Sequence, residues 1–216
     1  MLAIAEFESR LSAGLRSQFQ SLTSPTAIQA YLDSLPYRAE ELDRSPLRVM
    51  TDGQGHCLDG GVFAALALSR LGFRPLIIDL RPDPGMDDDH VLALFQYQGN
   101  WGALAKSNYP NLRFREPVHR TLRELAMTYF EFYFSVKQEK TLRGYTLPFD
   151  LSPFKPDWMW SEAAMAVLCR RFYSRKMVPL ISPETAAILS LSDERTYTAG
   201  TLGVDMSWTY GIRDNK

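Results

Sequence analysis

The clearest chemical feature of this sequence is a cysteine at the start of an apolar helix. Cys57 stands among the glycines of residues 55–61, and the apolar run 62–71 that follows stops at Gly72. A glycine just past the last apolar residue commonly ends a helix, so Cys57 is expected in the first turn of a buried helix. Unpaired N–H groups and the positive end of the helix dipole lie there, and both favour a thiolate. We therefore predict that Cys57 is a nucleophile.

A nucleophilic thiolate needs an imidazole to share its proton, and the chain contains three histidines. His90 is the best candidate, because it opens an apolar strand directly after a loop. His56 adjoins Cys57 and is expected to point elsewhere, whereas His119 starts a later predicted helix. The alternative for Cys57 is a small buried hydrophobe, which is also the interpretation of Cys169 within an amphipathic helix.

Apolar periodicity predicts the elements that position these residues. Strands are expected at 74–80, 90–98 and 101–107, with residues 81–89 as a solvated acidic loop. Between the first helices and Cys57, the only strand-like piece is 47–50. The remaining predicted elements are helices, at 2–22, from Ser24 to before Pro36, at 117–134, at 160–176 and after Ser182.

These elements indicate an α+β fold in which one helix packs on a small antiparallel sheet. We expect a single domain over residues 1–216, with a core at about 45–115 and helical additions at 1–36 and 117–190. A chain of 216 residues with 45% hydrophobic side chains is long enough to bury such a core. Residues 193–216 carry no clear signal.

Composition limits the classes of partner. A formal net charge of −1 gives no bias toward nucleic acid or an anionic membrane, and no apolar stretch approaches the length of a membrane span. Two cysteines do not make a disulfide framework, and no export signal is visible near residue 1. We therefore expect a reduced, cytoplasmic protein without a cofactor or a bound metal, and the oligomeric state stays open.

Several of these features occur together in a known family. Residues 55–59 (Gly-His-Cys-Leu-Asp), the apolar helix, residues 71–75 (Leu-Gly-Phe-Arg-Pro), His90 and residues 99–101 (Gly-Asn-Trp) follow one another in order. Over about residues 50–110, this pattern resembles the transglutaminase-like superfamily. The resemblance implies a papain-like catalytic core, in which a third, acidic residue orients the histidine.

The third member departs from the family's pattern. Lys106 stands at the position of the family's aspartate, and an ammonium group cannot accept a hydrogen bond from an imidazole. Asn108 is the nearest residue that can accept one, and its alternative role is that of a turn residue before Pro110. Gln54 is a candidate to help the backbone N–H of Cys57 stabilise an oxyanion, with an ordinary polar loop residue as its alternative.

The sequence therefore predicts cysteine-dependent hydrolysis of, or acyl transfer from, an amide in a peptide or protein substrate. Cys57 would attack the carbonyl carbon, His90 would protonate the leaving amine, and Asn108 would orient His90. The departure at Lys106 leaves an alternative open: a catalytically inactive member of the family that binds a peptide or protein in the cleft beside Cys57.

Three other interpretations are weaker. A hydrolase nucleophile elbow needs a glycine two residues after the nucleophile, and Asp59 occupies that position. Residues 87–90 (Asp-Asp-Asp-His) have the donor types for a divalent ion, yet consecutive residues rarely converge on one metal. The basic run at 113–123 is interpreted as a solvated helix face.

Overall fold

The computed structural model describes residues 3–213 of the chain. Its α-helices are α1 (Ile4–Arg10), α2 (Ala13–Ser21), α3 (Pro25–Ser34), α4 (Pro46–Asp52), α5 (Cys57–Arg70), α6 (Leu122–Met127), α7 (Glu162–Tyr173), α8 (Pro183–Ala187) and α9 (Glu194–Gly200). Its strands are β1 (Leu76–Pro82), β2 (His90–Tyr97), β3 (Asn100–Leu104), β4 (Arg115–His119), β5 (Leu142–Thr146), β6 (Phe149–Asp150) and β7 (Met177–Pro179). Short 3-10 turns lie at Phe130–Phe132, Pro156–Met159 and Met206–Trp208.

The strands form one open sheet with antiparallel pairing throughout the described chain. Their order is β4-β3-β2-β1-β5-β7, and β6 pairs with β1 as well. Strands β1 to β4 follow one another in space as they do in sequence, so they form a meander. In the register of the central pair, Leu80 lies opposite His90 and Asp79 lies opposite Val91.

Helix α5 lies against one face of the sheet and is buried from Cys57 to Leu68. Two glycines make this close approach possible. A Cβ placed on Gly60 would lie 2.2 Å from Lys106 Cβ, and one placed on Gly61 would lie 2.7 Å from Val91 Cγ1. Any larger side chain at either position would push the helix away from the sheet.

Side chains that alternate along β1 and β2 therefore belong to two separate cores. Ile77, Val91 and Ala93 pack with α5 on one face, in a cluster that also includes residues of α2 and α3. Ile78, Leu80 and Leu92 pack on the opposite face, with Leu125 and Tyr133. The sheet is covered on both faces.

The predicted α+β fold is confirmed, and β1, β2 and β3 lie at the predicted strand positions to within a few residues. Helix α7 confirms the helix predicted at 160–176. The division into a single domain over 1–216 stays a prediction, and its ends, residues 1–2 and 214–216, lie outside the described residues. None of the described helices is long and apolar enough to cross a membrane.

Three local predictions were wrong. Residues 47–50 form part of α4 rather than a strand, because Ser45 caps the helix and Pro46 occupies its first turn. The helix predicted at 2–22 is two helices, since Ser12 accepts a hydrogen bond from Leu15 N and starts α2. The helix predicted at 117–134 begins with strand β4, and only α6 and a 3-10 turn follow it.

Candidate functional site around Cys57

Cys57 is the first residue of α5, as predicted, but its surroundings oppose a thiolate. The side chain is buried, with 7% of the residue exposed, and Sγ lies 3.7 Å from the backbone oxygen of Asp89. Burial raises the pKa of the Cys57 thiol well above its ordinary value, and the negative charge of Asp89 raises it further. A hydrogen bond from the backbone of Val91 acts in the opposite direction and is outweighed. The thiol is therefore the resting form.

The turn that delivers Cys57 is held by Asp59, two residues further along the helix. The Asp59 carboxylate accepts hydrogen bonds from the backbone N–H of Arg44, at 2.7 Å, and of His56, at 3.1 Å. His56 is the N-cap residue of α5, and its Nε2 lies 3.2 Å from the backbone oxygen of Leu42. Asp59 thus joins the segment before α4 to the start of α5, which gives it a structural role.

His90 lies on the other face of the sheet from Cys57. It pairs with Leu80, whose side chain belongs to the core opposite α5, and its Nε2 lies 2.7 Å from the backbone oxygen of Leu112. A carbonyl oxygen only accepts, so Nε2 carries the proton and donates it to Leu112. Burial lowers the pKa of His90 to about 4, which leaves the ring neutral.

The Cys57 thiol and the His90 imidazole therefore form no hydrogen bond with each other, since Sγ lies beside the Asp89 backbone oxygen and Nε2 donates to Leu112. The physical reason is the period of the strand: residues 89 and 91 point toward α5, so residue 90 points away from it. The structure does not bring the predicted pair together.

Asn108 and His90 line the same small cavity, of about 30 Å³, but the Asn108 amide is bonded elsewhere. Its Nδ2 donates to the backbone oxygen of Asp205 at 2.9 Å, and its Oδ1 accepts from the Asp205 N–H at 3.0 Å. The amide therefore binds a later segment of the chain and does not orient the imidazole as predicted. Gln54 lies half-buried between α4 and α5, and its contribution to an oxyanion site stays a prediction.

Sequence reasoning missed a pair of buried carboxyl groups close to Cys57. Asp79 and Asp89 lie close enough for each to shift the pKa of the other, and Arg81 Nε donates to Asp79 Oδ2 at 2.7 Å. Two carboxyl groups this close must share a proton, and burial followed by the charge of Asp89 raises the pKa of Asp79. A single charged residue inside the apolar run of β1 was the signal for this pair.

The acidic loop is also less solvated than predicted. Thr141 Oγ1 donates to Asp87 Oδ2 at 3.0 Å, and burial raises the pKa of Asp87 to about 7. Asp88 forms a bidentate ion pair with Arg213, with both N–O distances at 2.6 Å. Residues 87–89 are therefore fixed in position by the rest of the fold, whereas the sequence predicted a solvated acidic loop.

Cys57 opens onto a cavity of about 160 Å³. Carboxylates from two segments form much of its wall, together with two tyrosines. The lining residues are Tyr37, Ala39, Glu40, Glu41, Asp43, His56, Cys57, Asp88, Asp89, Tyr173 and Arg213. We call this cavity the Cys57 cleft. Its charge suits a cationic group, and Arg213 of the chain itself already occupies that position beside Asp88.

No other metal or cofactor pocket stands out in the described chain. Among residues 3–213, no group of three or more histidine, cysteine or acidic side chains is placed to hold a metal ion. The possible metal site at residues 87–90 is not formed either, because the His90 side chain points to the opposite face of the sheet from Asp89.

No protein-family model matches the chain, and no curated protein matches it in sequence. Solved structures of LapG from Legionella pneumophila are similar in fold at 12–14% identity. One covers 50% of this chain and 71% of that chain with a TM-score of 0.37. The EGTA-treated and calcium-bound structures each cover 78% of this chain, and 98% and 96% of their own, with TM-scores of 0.41. This is a distant likeness, and no residue of this chain takes a role from it.

Proposed function

We propose that the chain is a non-catalytic binding module with a transglutaminase-like arrangement, and that the Cys57 cleft binds a cationic group of a protein partner. The observation that carries this proposal is the separation of Cys57 and His90 by the sheet. The imidazole that lines the cleft, that of His56, has its Nε2 beside the backbone oxygen of Leu42 and the Asp59 carboxylate, and no hydrogen bond joins it to the Cys57 thiol. The buried carboxyl pair beside it raises the pKa of the thiol further.

The cleft has the features of a binding site for a positive charge. Glu41 and Asp43 line one wall, and Asp88 and Asp89 line the other. Both Arg213 nitrogens contact Asp88 at 2.6 Å, so a planar guanidinium fits between these walls. A partner that presents an arginine or a lysine would compete with Arg213 for the same carboxylates.

Cysteine-dependent acyl transfer is the second candidate function. It is favoured by the position of Cys57, at the first residue of α5 and on the wall of an accessible cleft. In such a reaction the groups of the cleft that could take the thiol proton are the Asp89 carboxylate and the His56 imidazole rather than His90. Hydrolysis, transfer and deamidation of a peptide or protein substrate remain separate versions of this second candidate.

The rate of Cys57 alkylation against pH separates the two candidates. The measurement uses iodoacetamide on a Cys169→Ala background, with and without His90→Gln. A binding module predicts slow alkylation that titrates above the reference thiol pKa of about 8.5 and that does not depend on His90. A fast reaction that titrates well below 8.5 would overturn the proposal, and its loss in His90→Gln would in addition restore the pair of Cys57 and His90.

A further inference from the structure

Lys106 is a buried cationic residue that does not line the Cys57 cleft. It follows strand β3, with 4% of the residue exposed, and its stem passes α5 at Gly60, where no Cβ intervenes. Its Nζ donates to the backbone oxygen of Leu35, the residue that ends helix α3. Among the described residues, no carboxylate lies within ion-pair distance of this ammonium group. One hydrogen bond leaves two of its three N–H groups for another acceptor.

The amine lies on the wall of a second cavity, separate from the Cys57 cleft and larger, at about 420 Å³. Its lining residues are Asp33, Leu35, Pro36, Tyr37, Arg38, Lys106, Ser107, Asn108, Pro110, Arg113, Leu202, Gly203 and Asp205. We call this the Lys106 cavity. Three of these side chains are cationic and two are carboxylates.

The two carboxylates of the Lys106 cavity already have partners. Asp33 pairs with Arg113 at 3.2 Å and accepts a hydrogen bond from Gln29 Nε2 at 2.9 Å. Asp205 lies 3.8 Å from Arg38 and accepts a hydrogen bond from Ser207 Oγ. The cavity therefore carries an excess of positive charge, which is located at Lys106. An anionic group is the complementary ligand.

The surroundings of Lys106 also lower the pKa of its ammonium group. Burial lowers the pKa of Lys106 to about 8, the nearby Arg113 lowers it as well, and Asp33 acts in the opposite direction. An exposed lysine has a pKa of about 10.4, so near pH 7 the neutral fraction of Lys106 is larger by roughly 200-fold. Neutral amines are the form that attacks a carbonyl carbon.

We infer that the Lys106 cavity binds a small carbonyl compound carrying a carboxylate, and that Lys106 Nζ forms an imine with it. The nitrogen lone pair attacks the carbonyl carbon, the two N–H protons of the neutral amine pass to the carbonyl oxygen, and that oxygen leaves as water, so a C=N bond replaces the C=O bond. No oxidant or reductant is needed. Arg38 and Arg113 line the same cavity, and each guanidinium has further N–H groups that can donate to the carboxylate besides its contact with Asp205 or Asp33.

The first test uses the unaltered chain, so that folding of a variant is not in question. Glyoxylate is added with cyanoborohydride, which reduces any imine to a stable secondary amine, and modified lysines are located by peptide mass spectrometry. Exposed Lys176 is the internal control. We expect Lys106 to be modified at least about tenfold faster than Lys176 at pH 7, with a rate that titrates near pH 8. Modification of Lys106 no faster than Lys176 would overturn the proposal.

The second test concerns the carboxylate. Acetaldehyde is similar in size to glyoxylate but uncharged, so the ratio of the two rates at each lysine reports selection by the cavity. We expect this ratio to be several-fold higher at Lys106 than at Lys176 in the same sample. Equal ratios at the two lysines would remove the carboxylate from the proposal. A Lys106→Arg variant, which retains the positive charge and a donor for Leu35, should lose only the labelling at position 106.

Discussion

The two faces of the sheet near the start of β2 differ in the titratable groups that they bury. On the face toward α5, Asp79 and Asp89 share a proton beside a thiol that stays protonated. On the other face, one residue along, His90 is neutral and bonded to Leu112. The groups that the sequence suggested as one catalytic pair are thus divided between two cores. The difference shows that a histidine at the start of a strand predicts a catalytic pair only when its side chain is known to lie on the same face of the sheet as the cysteine.

The face toward α5 depends on close contact between helix and sheet, and one methyl group should disrupt it. In Gly60→Ala the new Cβ would lie 2.2 Å from Lys106 Cβ and 3.4 Å from its Cα. Because both the helix and the strand are buried there, we expect a loss of about 2–3 kcal/mol in the free energy of unfolding, measured by urea denaturation.

The matched control for this change is Gly14→Ala in α2. A Cβ on Gly14 has nothing within 4 Å, and alanine favours a helix. We therefore expect Gly14→Ala to be neutral or to stabilise the chain by up to about 1 kcal/mol. A Gly60→Ala variant as stable as wild type would mean that α5 does not pack against Lys106 as described.

His90 and Asp79, on opposite faces of the sheet, should change the free energy of unfolding in opposite directions as the pH rises. The pKa of His90 is lowered to about 4 in the folded chain, so only the unfolded chain binds its proton between about pH 6.5 and 4. Stability from this residue is therefore lost as the pH falls through that range, by at most about 3 kcal/mol. The pKa of Asp79 is raised in the folded chain, so its contribution is lost as the pH rises above about 4.

Urea unfolding between pH 4.5 and 8.5 with two variants separates these contributions. His90→Gln keeps a donor for Leu112 and should reduce the loss of stability on the acid side only. Asp79→Asn replaces the titratable carboxyl with a neutral amide, which need not lose a proton as the pH rises. It should therefore raise the free energy of unfolding on the alkaline side only. If both variants shift the same limb of the pH profile, the assignment of the two groups to separate cores is wrong.

The smallest effect on stability is expected from substitution of Arg213, which lines the Cys57 cleft. Both side chains of the Arg213–Asp88 pair are partly exposed, so Arg213→Ala should cost about 1 kcal/mol or less. Opening the cleft should nevertheless increase the rate of Cys57 alkylation. Arg195→Ala, which removes an exposed arginine of α9, serves as the control and should change neither quantity. Unchanged alkylation in Arg213→Ala would show that Arg213 does not limit access to the cleft.

The sequence was sufficient for the central helix and the first three strands because their apolar patterns are continuous. Cys57 at the helix start followed from the glycines around it. The face of His90 did not follow, because the apolar run 90–95 is buried on both sides and lacks the alternation that distinguishes one face from the other. Asp79 and Arg81, two residues apart in β1, mark one face of that strand, and they were the overlooked signal.

The later elements were harder to predict because distant partners determine them. Asn108 is read as a local turn residue in sequence, yet its amide binds the backbone of Asp205. The segment 115–119 (Arg-Glu-Pro-Val-His) has no alternating apolar pattern, and it forms strand β4 by pairing with the edge of β3. Residues after 193 carry no periodicity of their own and pack against side chains contributed by other segments, as Tyr197 does against Phe134.

The order of the strands has a consequence for a chain that emerges from the ribosome. The meander from β1 to β4 is complete once residue 119 has been synthesised, but the second edge of β1 is paired by β5, which begins at Leu142. Until that segment emerges, β1 is an edge strand with unpaired N–H and C=O groups and apolar residues on both faces. Such an edge readily pairs with strands of other chains. The nascent chain is therefore most exposed to aggregation between the synthesis of β4 and that of β5.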